Sequence, residues 1–220
     1  MKFDQATLLW RGVEVGLLKK KWGRNLKGKI LDLGCGEGKI AREVFARQLE
    51  WGLDNDKEMI KRAKKCGVYK KVIWGDGTKI NLPSRVVNVV FSNSVLEHIK
   101  DIDGVLSEIK RVLKPKGLLI ATMPSDKLGE YLGWGKLYAA WFNHKYHHYN
   151  LLSLSGWQKR LKKHGLSLID GYYYLNKATI RQWHRLLWLN KLGLKGKIKP
   201  PKLEVLIKGA ALAIMAQKIT

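Results

Sequence analysis

The sequence predicts an α/β fold, a mostly parallel sheet with helices on both faces. Three observations predict it. Short apolar runs alternate with helix-like stretches from Lys29 to Met123. The run Val86 to Ser92 is apolar almost without a break, as a strand covered on both faces is. A glycine-rich loop, Gly34 to Gly38, stands between the first apolar run and the first helical stretch.

Residues 5–22 read as an amphipathic helix ending in Lys19-Lys20-Lys21, and residues 1–28 form an N-terminal segment. Lys29 to Leu33 reads as the first strand, and Ile40 to Leu49 as a helix. Trp51 to Asp54 is the second strand, Glu58 to Lys65 a helix, and Lys71 to Trp74 the third strand. Val86 to Ser92 is the fourth. Asp103 to Leu113 is a helix stopped by Pro115 and Gly117, and Leu118 to Met123 is the fifth strand. Residues 29–124 are thus a cofactor-binding core. Residues 125–150, with Trp134, Trp141 and a Tyr/His cluster, read as a partly helical cap. Ser153 to His164 is a helix with Ser153 or Ser155 as its N-cap. Leu166 to Leu175 is a strand, 177–209 a basic, aromatic, helical insert, and Ala210 to Lys218 the last strand.

Composition narrows the function classes. At 220 residues, with 45% hydrophobic content, the chain suits one domain with a core, despite a net charge of +24. Cys35 and Cys66 have no CxxC or Cys/His zinc spacing. This argues against a disulfide framework or a structural metal and suits a reducing cytoplasm. Arg11 and Glu14 break the apolar stretch Leu8 to Leu18, so it does not read as a signal peptide. No uncharged apolar run approaches the roughly 20 residues of a spanning helix. Residues 126–220 hold 17 Lys and Arg against 4 Asp and Glu, with five of the nine Trp and seven of the eight Tyr. Such a surface attracts polyanions, either an anionic membrane or nucleic acid.

The strongest local signal is Asp32-Leu33-Gly34-Cys35-Gly36-Glu37-Gly38. Glycines let the backbone turn sharply beside a ligand, and the following helix start offers N–H groups to a carboxylate. In the dinucleotide fingerprint the third glycine comes three residues after the second; here that position is Lys39. Asp54 ends the second strand 20 residues after Gly34 and is placed to accept from two ribose hydroxyls. Asp76, in Gly75-Asp76-Gly77, is placed to accept from an adenine amino group. All three features lie at carboxyl ends of strands, where open α/β sheets bind ligands.

Ile30 to Ala41 resembles motif I of class I S-adenosylmethionine-dependent methyltransferases, and Asp54 and Asp76 match that family's ribose and adenine positions. Phe91 to Ile99 and Ser107 to Gly117 resemble its segments after the fourth strand and before the fifth. The type-11 subgroup, which includes quinone-biosynthesis and many lipid or sugar methyltransferases, is the nearest. The resemblance covers 28–124 well and 148–175 loosely. It implies a Rossmann-like, seven-stranded, mostly parallel sheet with a cap and a helical insert. It also implies S-adenosylmethionine as cofactor, held by Asp32, Gly34, Cys35, Gly36, Gly38, Asp54, Asn55, Asp76, Gly77 and Asn93. One departure is Asn88, where the family commonly has a structural Asp.

Methyl transfer from a sulfonium is mainly a matter of alignment, but an oxygen or acidic carbon acceptor also needs its proton removed. His98, just past the fourth strand, and His148, ahead of a capped helix, are the candidate bases. Core packing and a surface aromatic cluster are the plain alternatives for these two. No Asn/Asp-Pro-Pro-aromatic motif follows the fourth strand, which disfavours adenine or cytosine amino acceptors. The expected acceptor is a small-molecule or lipid-like compound, methylated on oxygen or carbon at an anionic membrane surface, with cytoplasmic or peripheral membrane location. Ile180, Trp183, Leu186, Leu187 and Trp188 beside Arg181, Arg185 and Lys191 carry the membrane reading. An RNA methyltransferase using the basic surface, and a cofactor-binding protein without catalysis, are the alternatives.

Overall fold

The computed structural model describes residues 4–23 and 26–219. Of the expected N-terminal segment, residues 1–3 and 24–25 therefore lie outside the described residues. Helix α1 (Gln5–Leu18) is capped by Asp4, whose side chain accepts from the Thr7 N–H, and runs into a π-helical turn at Lys19–Gly23. Its buried face carries Leu9, Trp10, Val13 and Leu17, and also Glu14.

Seven strands form one sheet in the order β3-β2-β1-β4-β5-β7-β6. They are β1 (Ile30–Leu33), β2 (Leu49–Asp54), β3 (Tyr69–Trp74), β4 (Val87–Asn93), β5 (Leu113–Pro124), β6 (Leu166–Tyr174) and β7 (Ala211–Lys218). The pairs among β1 to β5 are parallel, and β7 is antiparallel to both β5 and β6. The side chains alternate between the two faces, as strand geometry requires. Ile30, Val89, Phe91, Ile120, Tyr172 and Ala213 join one core, while Leu31, Leu33, Val90, Leu119, Leu212 and Ile214 join the other. The first core is covered by α1, α2 (Lys39–Val44), α3 (Lys57–Cys66), α5 (Leu128–Leu132), α6 (Gly135–Lys145) and α8 (Lys177–Lys191). The second is covered by α4 (Ile102–Val112) and α7 (Leu154–Lys163).

The expected sheet is present, with three shifts. The helix expected over Ile40 to Leu49 ends at Val44, because Leu49 already pairs with Tyr69 of β3 as the first residue of β2. The fifth strand begins earlier, at Leu113, directly after α4. The insert 177–209 is helical only to Lys191: Gly193 takes a left-handed φ of 69°, and Pro200 and Pro201 follow. Beyond that point the chain is tied to α1, where Gln5 exchanges two hydrogen bonds with the backbone of Gly196 (2.7 and 2.9 Å). Ser153 is the N-cap of α7 and accepts from the Gly156 N–H. Asn88 fills a structural role, its Oδ1 accepting from the Lys29 N–H at 3.0 Å.

The strand order reverses between β1 and β4, which opens a crevice at their carboxyl ends.

Candidate active site

On one side of the crevice is a cavity of about 560 Å³, bordered by Gly34, Asp54, Asn55, Asp76, Gly77, Ser94, His98 and Asp101 among others. Asp54 organises its floor. Its Oδ2 accepts from the Gly36 N–H at 2.8 Å and its Oδ1 from the Asp56 N–H at 2.9 Å. The glycine loop is therefore tied to the end of β2. Asp76 Oδ1 accepts from the amide and hydroxyl of Thr78 (2.7 and 2.8 Å), which fixes the corresponding turn after β3.

The loop glycines do different jobs. A Cβ on Gly34 would stand 2.2 Å from Val95 Cγ2, and one on Gly38 would stand 3.0 Å from Tyr69 Cε2. Both serve packing. A Cβ on Gly36 would meet nothing within 4 Å, so the open part of the loop is at Gly36. Of the ten residues expected at the cofactor, Asp32, Cys35, Gly36, Gly38 and Asn93 do not line this cavity, while Gly34, Asp54, Asn55, Asp76 and Gly77 do. Asp32 is buried and accepts from the Tyr69 hydroxyl at 2.5 Å; burial pushes its carboxyl up to about 7 despite that bond. Burial likewise pushes the Cys35 thiol up, which makes it a poor nucleophile.

Beyond Ser94 and His98 lies a second, smaller chamber of about 220 Å³. Its walls come from four separate parts of the chain. Trp10 and Arg11 come from α1, Glu97 from the 3₁₀ turn Leu96–His98, Phe142, Tyr146 and His148 from the cap, and Trp183 and Leu187 from α8. Ser94 and His98 border both spaces. The two expected histidines meet here, with ring centroids 5.2 Å apart. Burial pulls both below the ordinary histidine range, and His148, facing His98 as well, is pushed down to about 4. Both rings are neutral at pH 7.

Two side chains that sequence reasoning did not place at the site complete it. Arg11 Nη1 donates to Glu14 Oε2 (2.5 Å), Asn93 Oδ1 (2.8 Å) and Ser94 Oγ (2.8 Å). Burial disfavours the Glu14 anion, but Arg11 and its hydrogen bonds outweigh that and hold its pKa below the usual range. Glu97 is 1% exposed, and its Oε2 has no hydrogen-bond partner among the described residues. Burial pushes its carboxyl up to about 8, against the pull of its own backbone N–H and Arg11. The available signal was a pair of opposite charges, Arg11 and Glu14, one turn apart on the apolar face of α1.

The family model described as a methyltransferase domain matches residues 31–121. Residues 31–121 thus match a methyltransferase domain, and the sheet has the class I methyltransferase fold. Likeness to curated proteins covers only part of the chain. A sterol 24-C-methyltransferase of Gibberella zeae is 35% identical over 101 residues, covering 41% of this chain and 26% of that protein. A malonyl-[acyl-carrier protein] O-methyltransferase of Methylovorus sp. is 30% identical over 142 residues, covering 58% and 48%. The chain thus spans about a quarter to a half of the curated relatives it matches. Among solved structures, a possible histamine N-methyltransferase of Thermotoga maritima superposes with a TM-score of 0.67 at 17% identity, covering 97% of this chain and 91% of that one. A phosphoethanolamine N-methyltransferase of Haemonchus contortus gives 0.66 at 19%, covering 96% and 53%. These two show a shared fold.

The larger cavity fits the cofactor of this domain, S-adenosylmethionine. Its volume is that of a cofactor site. A carboxylate oxygen accepts more than one hydrogen bond, so Asp54 retains capacity for a ribose diol while holding the loop. Asp76 Oδ2 has no partner among the described residues and is free for an amino group. Gly34 lines the cavity, so a ligand there lies against the backbone of the loop.

Proposed function

We propose that the protein transfers a methyl group from S-adenosylmethionine to oxygen or carbon of a small, apolar or lipid-like acceptor. One observation carries this reading: Ser94 and His98 are shared walls of a cofactor-sized cavity and an aromatic-lined chamber. A donor in the first and an acceptor in the second meet at that shared wall, so binding itself aligns the reacting atoms. The chamber's Trp10, Phe142 and Trp183 favour a flat or apolar acceptor. Asp54 and Asp76 hold the donor, and His98 and His148 line the transfer point.

We further propose that the enzyme works against an anionic membrane. The stripe on α8 divides. Ile180 and Leu186 are buried, Trp183 packs on Trp10 with ring centroids 5.0 Å apart, and Trp188 is exposed. Trp188 shares a face with exposed Trp134 and Trp141, grouped around His184. Lys145 lies over Trp141 and Lys191 over Trp188, each at 4.7 Å. Phe142, Tyr146 and Leu187 border both this face and the chamber. Aromatics beside cations suit a headgroup region. Among the described residues no helix is long and apolar enough to cross a membrane, so contact would be at the surface.

The test is calorimetric binding of S-adenosylhomocysteine, then transfer of labelled methyl to lipid extract, RNA and small phenols. Labelled lipid or phenol is the expected result. Tight binding of NADH in place of S-adenosylhomocysteine, or label in RNA alone, would overturn it.

A further inference from the structure

The chamber contains one group whose chemistry is unspent. Glu97 is fixed by its backbone: its carbonyl accepts from the Tyr149 N–H (2.7 Å) and the Asn150 N–H (3.2 Å). Asn150 Nδ2 in turn donates to the carbonyls of Leu96 and Ile99 (3.0 and 2.6 Å). The turn that carries Glu97 is thus clamped to the cap by four hydrogen bonds. The Glu97 carboxyl is buried in the chamber wall, with Oε2 unpartnered among the described residues. A buried polar atom left without a partner is costly, and a ligand that pairs with it removes that cost.

The other carboxyl oxygen shows where a proton sits and where it goes. His98 Nδ1 lies 3.3 Å from the His147 carbonyl, which only accepts, so Nδ1 carries the ring hydrogen. His98 Nε2 is then an acceptor, and it stands 3.5 Å from Glu97 Oε1. Burial pushes the Glu97 carboxyl up to about 8 and pulls the His98 ring down, so of these two facing groups Glu97 is the one that keeps a proton. The His98 side chain is 41% exposed, so it leads from the buried carboxyl to solvent.

Resting on the methyl-transfer reading above, we propose that Glu97 is the group that takes the proton from a hydroxyl-bearing acceptor bound in the chamber. Its ionised carboxylate, the proton having left through His98, accepts the hydroxyl hydrogen on Oε2. The acceptor oxygen forms a bond to the methyl carbon as the carbon–sulfur bond breaks, with its electron pair going to sulfur. The products are a methyl ether, S-adenosylhomocysteine and protonated Glu97, and the proton returns to solvent through His98.

The charges around the chamber select the acceptor class. Arg11 on α1 is within reach of the same chamber and disfavours an ammonium there, while it stabilises an oxygen that is gaining negative charge. Glu14, also on α1, is neutralised by Arg11 and Tyr174. His98 and His148 face Glu97's side of the chamber as neutral rings, and Tyr146 comes from the end of α6. A carboxylate acceptor would have no proton to give and would meet Glu97 as a like charge. A phenol or comparable hydroxyl on an apolar body satisfies every wall.

The test uses 4-nitrophenol as the acceptor probe on the full chain, with E97Q and E97A. The carboxamide of E97Q keeps the shape of the side chain and loses its proton chemistry. In infrared difference spectra, wild type is expected to show a carboxylic-acid band that fades as pH rises through about 8 and that E97Q lacks. With S-adenosylhomocysteine bound, 4-nitrophenol affinity is expected to fall about tenfold or more in E97A. Turnover of any phenol that wild type methylates is expected to fall about 10²–10⁴-fold in E97Q. S-adenosylhomocysteine affinity should stay unchanged in both variants. If E97A fails to fold, E97Q alone decides. Wild-type turnover in E97Q, or identical infrared bands in the two proteins, would overturn the assignment. Failure of wild type itself to bind S-adenosylhomocysteine would instead overturn the methyl-transfer reading.

Discussion

Tyr174 donates its phenolic hydrogen to Glu14 at 2.5 Å, joining β6 to α1 across 160 positions of sequence. The same carboxylate accepts from Arg11, and Arg11 also donates to Asn93 Oδ1 and Ser94 Oγ at the end of β4. A single buried ion pair thus sets where the N-terminal helix lies over the site. Replacing Tyr174 by Phe strands one acceptor of a buried carboxylate. The fold is expected to lose about 1–3 kcal/mol, measured as a lower midpoint in urea unfolding. An unchanged midpoint would show that the bond adds nothing net.

Asp54→Ala removes the acceptor of the Gly36 N–H and the expected ribose contact together. Lost charged hydrogen bonds of about 1.5–3 kcal/mol imply donor binding weaker by about ten- to a hundredfold. Calorimetry with S-adenosylhomocysteine measures it, and an unchanged affinity would remove Asp54 from the site.

Two glycines of one loop are expected to respond differently. Gly34→Ala places a methyl 2.2 Å from Val95 Cγ2 at a φ of 73°, so it should destabilise the fold by several kcal/mol. Gly36→Ala meets no atom and bears only its backbone strain, about 1–2 kcal/mol. It should fold, and should lose donor affinity because its methyl occupies the space above the loop. Melting curves separate the two, and calorimetry on Gly36→Ala completes the comparison.

Titration of the site shapes stability on both sides of neutrality. His148 falls from an unfolded value of 6.5 to about 4, so the unfolded chain binds the extra proton between those values and stability is lost as pH falls through them. Glu97 rises from 4.5 to about 8, so its contribution is complete below 4.5 and is lost as pH rises towards 8. His148→Asn should flatten the acid side of a plot of melting temperature against pH, and Glu97→Gln the alkaline side. A variant that shifts the whole curve without changing its shape would refute the corresponding titration.

Membrane contact is expected to involve Trp134, Trp141 and Trp188, with Trp183 left in place because it packs on Trp10. Wild type should co-sediment with phosphatidylglycerol vesicles at low salt, and partly so at about 0.5 M salt, since apolar burial is not screened. Changing the three exposed tryptophans together to Ser should weaken that binding and leave donor affinity intact. Complete loss with salt, alongside tight RNA binding, would favour nucleic acid as the partner.

The frame of the fold was legible because it rests on local rules. The apolar run Val86 to Ser92 fits a doubly covered strand, and Gly34 to Gly38 after Asp32 fits a tight strand-to-helix turn; both are present. Spacing alone then placed Asp54 and Asp76 at strand ends, beside one cavity. Boundaries moved where pairing overrode local preference, as at Leu49 in β2 and Leu113 in β5. The insert was misread past Lys191 because its basic, apolar composition continues while its glycines and prolines end the helix.

The chamber was not legible, and the reason is geometric. Trp10, Glu97, Phe142 and Trp183 lie on four segments whose separations follow no period, and only the packing of α1, α6 and α8 brings them together. Arg11 and Glu14 looked like charges that interrupt an apolar stretch, because a sequence pattern does not say what a buried ion pair will face. Sequence by itself determined the sheet, the glycine loop and the carboxylates of the larger cavity, since those depend on neighbours along the chain. Tertiary structure alone decided the aromatic-lined chamber and the burial of Glu97, since desolvation and orphaned hydrogen bonds exist only once distant segments close over a side chain.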